Sequence, residues 1–247
     1  MRRQNSLRLN NFMGLLIKCL FLYLLGSFLP AQAKIFEWHT TNIQLLQGWT
    51  HELGDRTRTV ISLQHTNKWR YGDNYAFMDI TDLDGVYAEV HPQLSLGKIT
   101  GQSFSVGPIA DILFASTFEF TKGPNRYLFG FGIDWKVPYF KYLKSNFYIR
   151  DNTGFSGTTE QVTISWGLPL AIGDLNLLFD GFADITGSEG PLAANEHIQA
   201  SALIDVGNYW DFPQQVYLGT EYIYWHNKFG LSEITESVFQ LQLRYVF

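Results

Sequence analysis

Residues 86–120 read V-Y-A-E-V-H-P-Q-L-S-L (Val86–Leu96), G-K-I-T-G-Q-S-F-S-V-G-P (Gly97–Pro108) and I-A-D-I-L-F-A-S-T-F-E-F (Ile109–Phe120). Both outer segments alternate with a period of two. In the second, Ile112, Phe114, Ser116, Phe118 and Phe120 fall on one face, and Asp111, Ala115, Thr117 and Glu119 on the other. In the first, Val86, Ala88 and Val90 oppose Tyr87, Glu89 and His91. Strand side chains point alternately to opposite faces, so this is a hairpin with one apolar and one acidic face. A soluble sandwich more often carries its charges outside and its apolar residues within. Acids opposite a long apolar face suit a strand with lipid outside and water inside.

The rest of the chain repeats the pattern. Twelve strands are expected: 40–49, 58–67, 74–82, 86–96, 109–121, 125–136, 145–151, 160–168, 174–184, 197–206, 214–227 and 238–247. Turn signals separate them, among them Leu53-Gly54-Asp55, Asp84-Gly85, Lys122-Gly123-Pro124-Asn125, Thr153-Gly154 and Lys228-Phe229-Gly230. Residues 35–39 read as a short lead-in, and helical periodicity is absent after residue 33. Tyr127, Phe129, Phe131 and Ile133 alternate with Leu128, Gly130, Gly132 and Asp134. Phe239, Leu241, Leu243, Tyr245 and Phe247 alternate with Gln240, Gln242, Arg244 and Val246. Trp49, Trp69, Trp135, Tyr209 and Trp210 stand near strand ends, where interfacial girdles lie. The expected fold is an all-β transmembrane antiparallel barrel of twelve strands. A closed sheet is the strand architecture that satisfies every backbone group inside a bilayer.

Composition agrees. The 247 residues are 16% aromatic and only 17% charged, against about a quarter charged in soluble domains. No stretch beyond residue 33 reaches the roughly 18 apolar residues of a membrane helix. Residues 1–33 read as a signal peptide: Arg2, Arg3 and Arg8 precede an apolar run, and Ala31-Gln32-Ala33 offers a cleavage site before Lys34. Lys18, in place of a small residue, argues against a lipoprotein at Cys19. Cleavage removes four of the 18 bases and the single cysteine, leaving 14 bases, 23 acids and a net charge of −9. An acidic chain without a basic patch is not expected to bind nucleic acid. Residues 34–247 would form one domain, exported to the cell outer membrane of a Gram-negative bacterium.

The central hairpin then becomes specific. Glu89-Val90-His91-Pro92-Gln93-Leu94-Ser95-Leu96-Gly97-Lys98-Ile99-Thr100, followed by Ser103-Phe104-Ser105-Val106-Gly107-Pro108, resembles the Tsx/OmpK family of nucleoside-specific outer-membrane channels. Trp38-His39 with Asn42, Trp69, Asp79 and Tyr224-Trp225-His226-Asn227 are similar to further patches of that family. Val106 stands where the family has an aromatic residue, and this chain is shorter, mainly in its outer loops. The resemblance implies a monomeric twelve-stranded barrel that passes nucleosides without cofactor or energy source. Outer loops of such barrels are expected docking points for phage or bacteriocins.

Alternation places Asp79, Glu89, Asp111, Glu119, Asp134, Asp180, Asp184, Asp205 and Glu221 in the lumen, with Arg150 and Arg244 as bases. A nucleoside has a flat base and a hydroxyl-rich ribose, so its site needs aromatic faces beside carboxylates or guanidinium groups. Tyr87, Tyr148, Phe182 and Tyr217 are the expected stacking faces. The candidate solute-binding set is Asp79, Tyr87, Glu89, Glu119, Tyr148, Arg150, Asp180, Phe182, Tyr224, Trp225, His226 and Arg244. The competing reading makes them ordinary interior charges, paired with one another and with water. Pro92 and Gly107-Pro108 read as strand-end residues rather than ligand contacts.

Enzymatic readings find little support. The six histidines show no metal-ligand spacing. Asp180 and Asp184 share a face but stand about 13 Å apart at strand rise, too far for a shared acid–base pair. A general small-solute porin or a structural barrel remains the alternative to a nucleoside channel.

Overall fold

The computed structural model describes residues 36–247. The expected signal peptide, Cys19 and the cleavage site before Lys34 lie outside the described residues. The described chain is one closed antiparallel barrel in which each strand pairs with its sequence neighbours and β12 closes onto β1. The strands are β1 (Phe36–Gly48), β2 (Arg58–Trp69), β3 (Gly72–Thr81), β4 (Gly85–Ser95), β5 (Ile109–Phe120) and β6 (Arg126–Trp135). There follow β7 (Tyr142–Asn152), β8 (Thr159–Ile172), β9 (Leu175–Thr186), β10 (Asn195–Asp205), β11 (Val216–His226) and β12 (Glu236–Val246). At the seam Gln44 lies opposite Arg244 and Leu45 opposite Leu243. Closure leaves no unpaired sheet edge to the bilayer.

The two faces differ as the alternation requires. Along β12, Glu236, Gln240, Gln242 and Arg244 are buried on the inner wall, while Phe239, Leu241 and Leu243 are exposed on the outer one. A charge on the outer wall would cost about 2–4 kcal/mol at the bilayer midplane, so register is fixed by the whole inward set. Trp69, Trp135, Tyr209 and Trp210 gather at the end that carries the described chain termini, and Trp49 lies at the other. Trp135 donates its indole N–H to Ser145 Oγ at 2.9 Å, which pins the ring at the rim.

Four local features differ from the sequence reading. First, the lead-in over residues 35–39 is no lead-in from Phe36 onward: β1 begins there and runs through it, with a register shift between Phe36 and Trp38. Second, β8 continues through Pro169 to Ile172 before a tight turn at Gly173 (φ 59°). Third, a short helix α1 (Leu96–Thr100) follows β4, and single 3-10 turns occupy Val206–Trp210 and Lys228–Gly230. Five residues are too few for helical periodicity to register. The signal was in the caps: Ser95 Oγ accepts the Lys98 N–H at 2.9 Å, and Gly101 closes the turn at φ 69°.

Fourth, Pro92 is not a strand-end residue. It sits inside β4, where pairing with β5 lapses between Val90↔Phe118 and Gln93↔Ala115. Proline has no N–H to donate to the ladder. Side chains fill the gap instead. Ser116 Oγ donates to the Pro92 carbonyl at 2.9 Å, and Thr117 Oγ1 lies 2.9 Å from His91 Nδ1.

Both ends of the barrel are tied. At the terminal end Lys98 Nζ reaches Glu37 Oε2 and the Trp69 carbonyl, each at 2.7 Å, and Ser95 Oγ donates to Asp111. At the other end Lys228 donates to Glu236, whose carboxylate also accepts the Glu52 N–H at 3.1 Å. Burial holds the Lys228 ammonium below the ordinary lysine range.

Candidate functional site

The inner wall at β3 and β4 is aromatic. Asp73, Tyr75, Phe77 and Asp79 share one face of β3, and the register sets Tyr75 opposite His91, Phe77 opposite Glu89 and Asp79 opposite Tyr87. Ring centroids lie 5.3 Å apart for Tyr75–His91 and 5.8 Å apart for both Tyr75–Phe77 and Phe77–Tyr87. Tilted rings at these spacings form one continuous panel.

A charged network adjoins the panel. The Tyr87 hydroxyl donates to Glu89 and lies 3.2 Å from Glu119 Oε2. His91 Nε2 is 2.8 Å from Glu89 Oε2. Two guanidinium groups converge on Glu119, Arg126 at 3.1 Å and Arg150 at 2.6 Å. Arg150 also donates to Gln161 Oε1 at 2.5 Å, and Thr163 Oγ1 donates to Asp184 at 2.5 Å. Thr117 Oγ1 links this group to the Tyr148 hydroxyl at 3.3 Å. Strands β4 to β9 thus offer carboxylates, guanidinium N–H groups and hydroxyls next to four rings. Such a wall can stack a flat ring and hydrogen-bond its polar edge.

A second group lies on β9 to β12. Arg244 forks onto Asp180, with its second nitrogen 3.0 Å from Asp180 Oδ1, and Gln240 donates to Glu221 at 3.0 Å. Toward the end away from the described termini, His197 stacks on Trp225 at 3.9 Å and meets Phe182 edge-on at 5.2 Å. Lys144 spans between walls: its ammonium is 2.8 and 2.7 Å from the Asp73 carboxylate oxygens, 2.7 Å from Gln93 Oε1 and 3.3 Å from Asp134.

Tyr87, Glu89, Glu119, Arg150 and Tyr148 therefore come together. Asp180 with Arg244 forms a separate pair, Phe182 and Trp225 flank His197, and Asp79 points inward opposite Tyr87. Tyr224 and His226 do not belong with Trp225. The register pairs Trp225 with His197 on the inner wall, so its two neighbours in sequence face outward; His226 Nδ1 meets Thr235 Oγ1 at 3.1 Å instead. Tyr75, Phe77, His91, Arg126 and Lys144 lie on the same inner wall but stand outside the candidate set. The parity that placed Asp79 in the lumen also places Tyr75 and Phe77 there, and the turn after β5 sets Arg126 directly opposite Glu119.

A closed barrel with a lipid-facing outer wall and a charged inner one is the architecture of an outer-membrane β-barrel protein. The chain belongs to the family of nucleoside-specific channel-forming proteins, Tsx, which it matches over residues 36–245. No curated protein sequence matches it. Among solved structures, the KdgM porin in complex with disordered oligogalacturonate is similar with a TM-score of 0.52 and 7% identity, over 83% of this chain and 99% of that one. The NanC porin is similar with a TM-score of 0.51 and 10% identity, over 82% and 98%. At such identities the likeness is one of fold. Family and fold neighbours alike are channels rather than enzymes, and the chain is an outer-membrane channel for small solutes in a Gram-negative envelope.

Proposed function

We propose that the solutes are nucleosides, which diffuse down their gradient past weak sites on the inner wall. The observation that carries this reading is the contact between the ring panel of Tyr75, Phe77, Tyr87 and His91 and the Glu89–Glu119–Arg126–Arg150 network. A base would stack on the rings while its ribose hydroxyls exchange hydrogen bonds with Glu119 and Arg150. Membership of the family supports the same solute class. Asp79, Tyr148, Asp180, Phe182, Trp225 and Arg244 are proposed as further steps along the path. Permeation requires each step to bind loosely enough to release its solute.

The expected signal peptide would be removed before Lys34, and the barrel would act as a monomer, its outer loops open to phage or bacteriocins. The test is current through the refolded protein in a planar bilayer: adenosine should reduce it in a saturable way and glucose should not. Equal indifference to both would leave a general small-solute porin.

A further inference from the structure

The charges on the inner wall are unequal in a way the nucleoside reading does not use. Four inward bases are matched to acid: Arg126 and Arg150 to Glu119, Lys144 to both Asp73 and Asp134, and Arg244 to Asp180. Lys68, opposite Asp73 at the terminal rim, makes no ion pair among the described residues. Apart from Asp111 and Asp205, which accept backbone N–H groups at the terminal end, three inward carboxylates have no Lys or Arg at ion-pair distance among the described residues. Asp184 is held only by the Thr163 hydroxyl, Glu221 by Gln240 and Ser201, and Asp79 Oδ1 is buried without a hydrogen-bond partner. They stand on β9, β11 and β3, around the wall rather than in one cluster. Glu89 adds a fourth acid whose neighbour is a histidine rather than a permanent cation.

We propose that the channel is cation-selective, and that Asp79, Asp184 and Glu221 set this preference. A solvated passage with low-dielectric walls focuses the field of unmatched charge, enriching counter-ions by about tenfold or more. Matched pairs contribute little beyond a dipole, so the sign of the field follows the surplus acids. Inorganic cations and cationic organic solutes would be admitted over anions of the same size. This property rests on the lumen as the conducting path and not on which neutral solute it carries.

The measurement is the reversal potential of the full-length, refolded protein in a planar bilayer under a KCl gradient. It is made at about pH 8, above the ordinary carboxylate range. The expected result is a K⁺ over Cl⁻ permeability ratio several-fold above one. In the variant Asp79→Asn/Asp184→Asn/Glu221→Gln the ratio should fall toward one, and each single substitution should lower it in part, which covers failure of the triple variant to insert. A wild-type ratio at or below one, or single variants that leave it unchanged, would overturn the proposal. Adenosine block, read on the same channels, reports separately on the nucleoside reading.

Discussion

Lys144 on β7 meets Asp73 on β3, four strands away around the wall, with its ammonium 2.8 and 2.7 Å from the two carboxylate oxygens. The lumen is therefore crossed by an ion pair near the terminal end, and Asp134 shares the same cation at 3.3 Å. Removing one partner of such a pair leaves the other charge uncompensated, at a cost of about 3 kcal/mol. Lys144→Met should lower the heat-unfolding midpoint of the detergent-solubilised barrel. Adding Asp73→Asn should restore part of the loss, because one orphan charge is then gone. Thermal melts followed by circular dichroism would read both steps.

Arg150 binds Glu119 and Gln161 together, and its planar fork does what a lysine ammonium cannot. Arg150→Lys should weaken adenosine block by about tenfold, the equivalent of one lost charge-assisted hydrogen bond at about 1.5 kcal/mol. Open-channel current without solute should persist. A titration of block against adenosine concentration separates the two effects.

The ring panel predicts a graded series at Tyr87. Tyr87→Phe keeps the ring 5.8 Å from Phe77 but removes the hydroxyl that contacts Glu89 and Glu119. Tyr87→Ala removes both, with about 1–3 kcal/mol of stacking at stake. Adenosine block should weaken in the order wild type, Phe, Ala. Equal effects of both substitutions would show that the ring face is not used.

Outward and inward neighbours on β11 give a control. Tyr224→Ala and His226→Ala should leave solute block unchanged, since both side chains leave the barrel on its outer wall. Trp225→Ala removes the partner on which His197 stacks at 3.9 Å, and should alter current and block. The contrast is read on three single variants under one set of conditions.

Gly130 is the position where strand packing tolerates least. A Cβ there would fall 1.8 Å from the Phe147 carbonyl oxygen on β7. Backbone cannot yield as a side-chain tip can, so Gly130→Ala should reduce the yield of folded barrel on refolding. Heat-modifiable gel mobility would report it.

The strands and their faces were legible because a bilayer imposes one rule on every strand. Asp111, Asp134, Asp205 and Glu221 all point inward as their parity requires. Tyr224 and His226 enter the candidate set through similarity to a family patch, and the same parity that puts Trp225 inside puts them outside. Pro92 reads as a boundary because proline in a central strand normally marks one, whereas Ser116 and Thr117 here repair the ladder. The Lys144–Asp73 pair was not legible at all. Alternation says which way a side chain points, but not which wall it reaches across a closed sheet.

The central claim is tested most directly by single-channel current of the refolded wild-type protein in a planar bilayer, titrated first with adenosine and then with glucose. The account predicts small discrete conductance steps that adenosine reduces in a saturable manner and glucose leaves unchanged. Conductance that neither solute alters would contradict a nucleoside site on the inner wall.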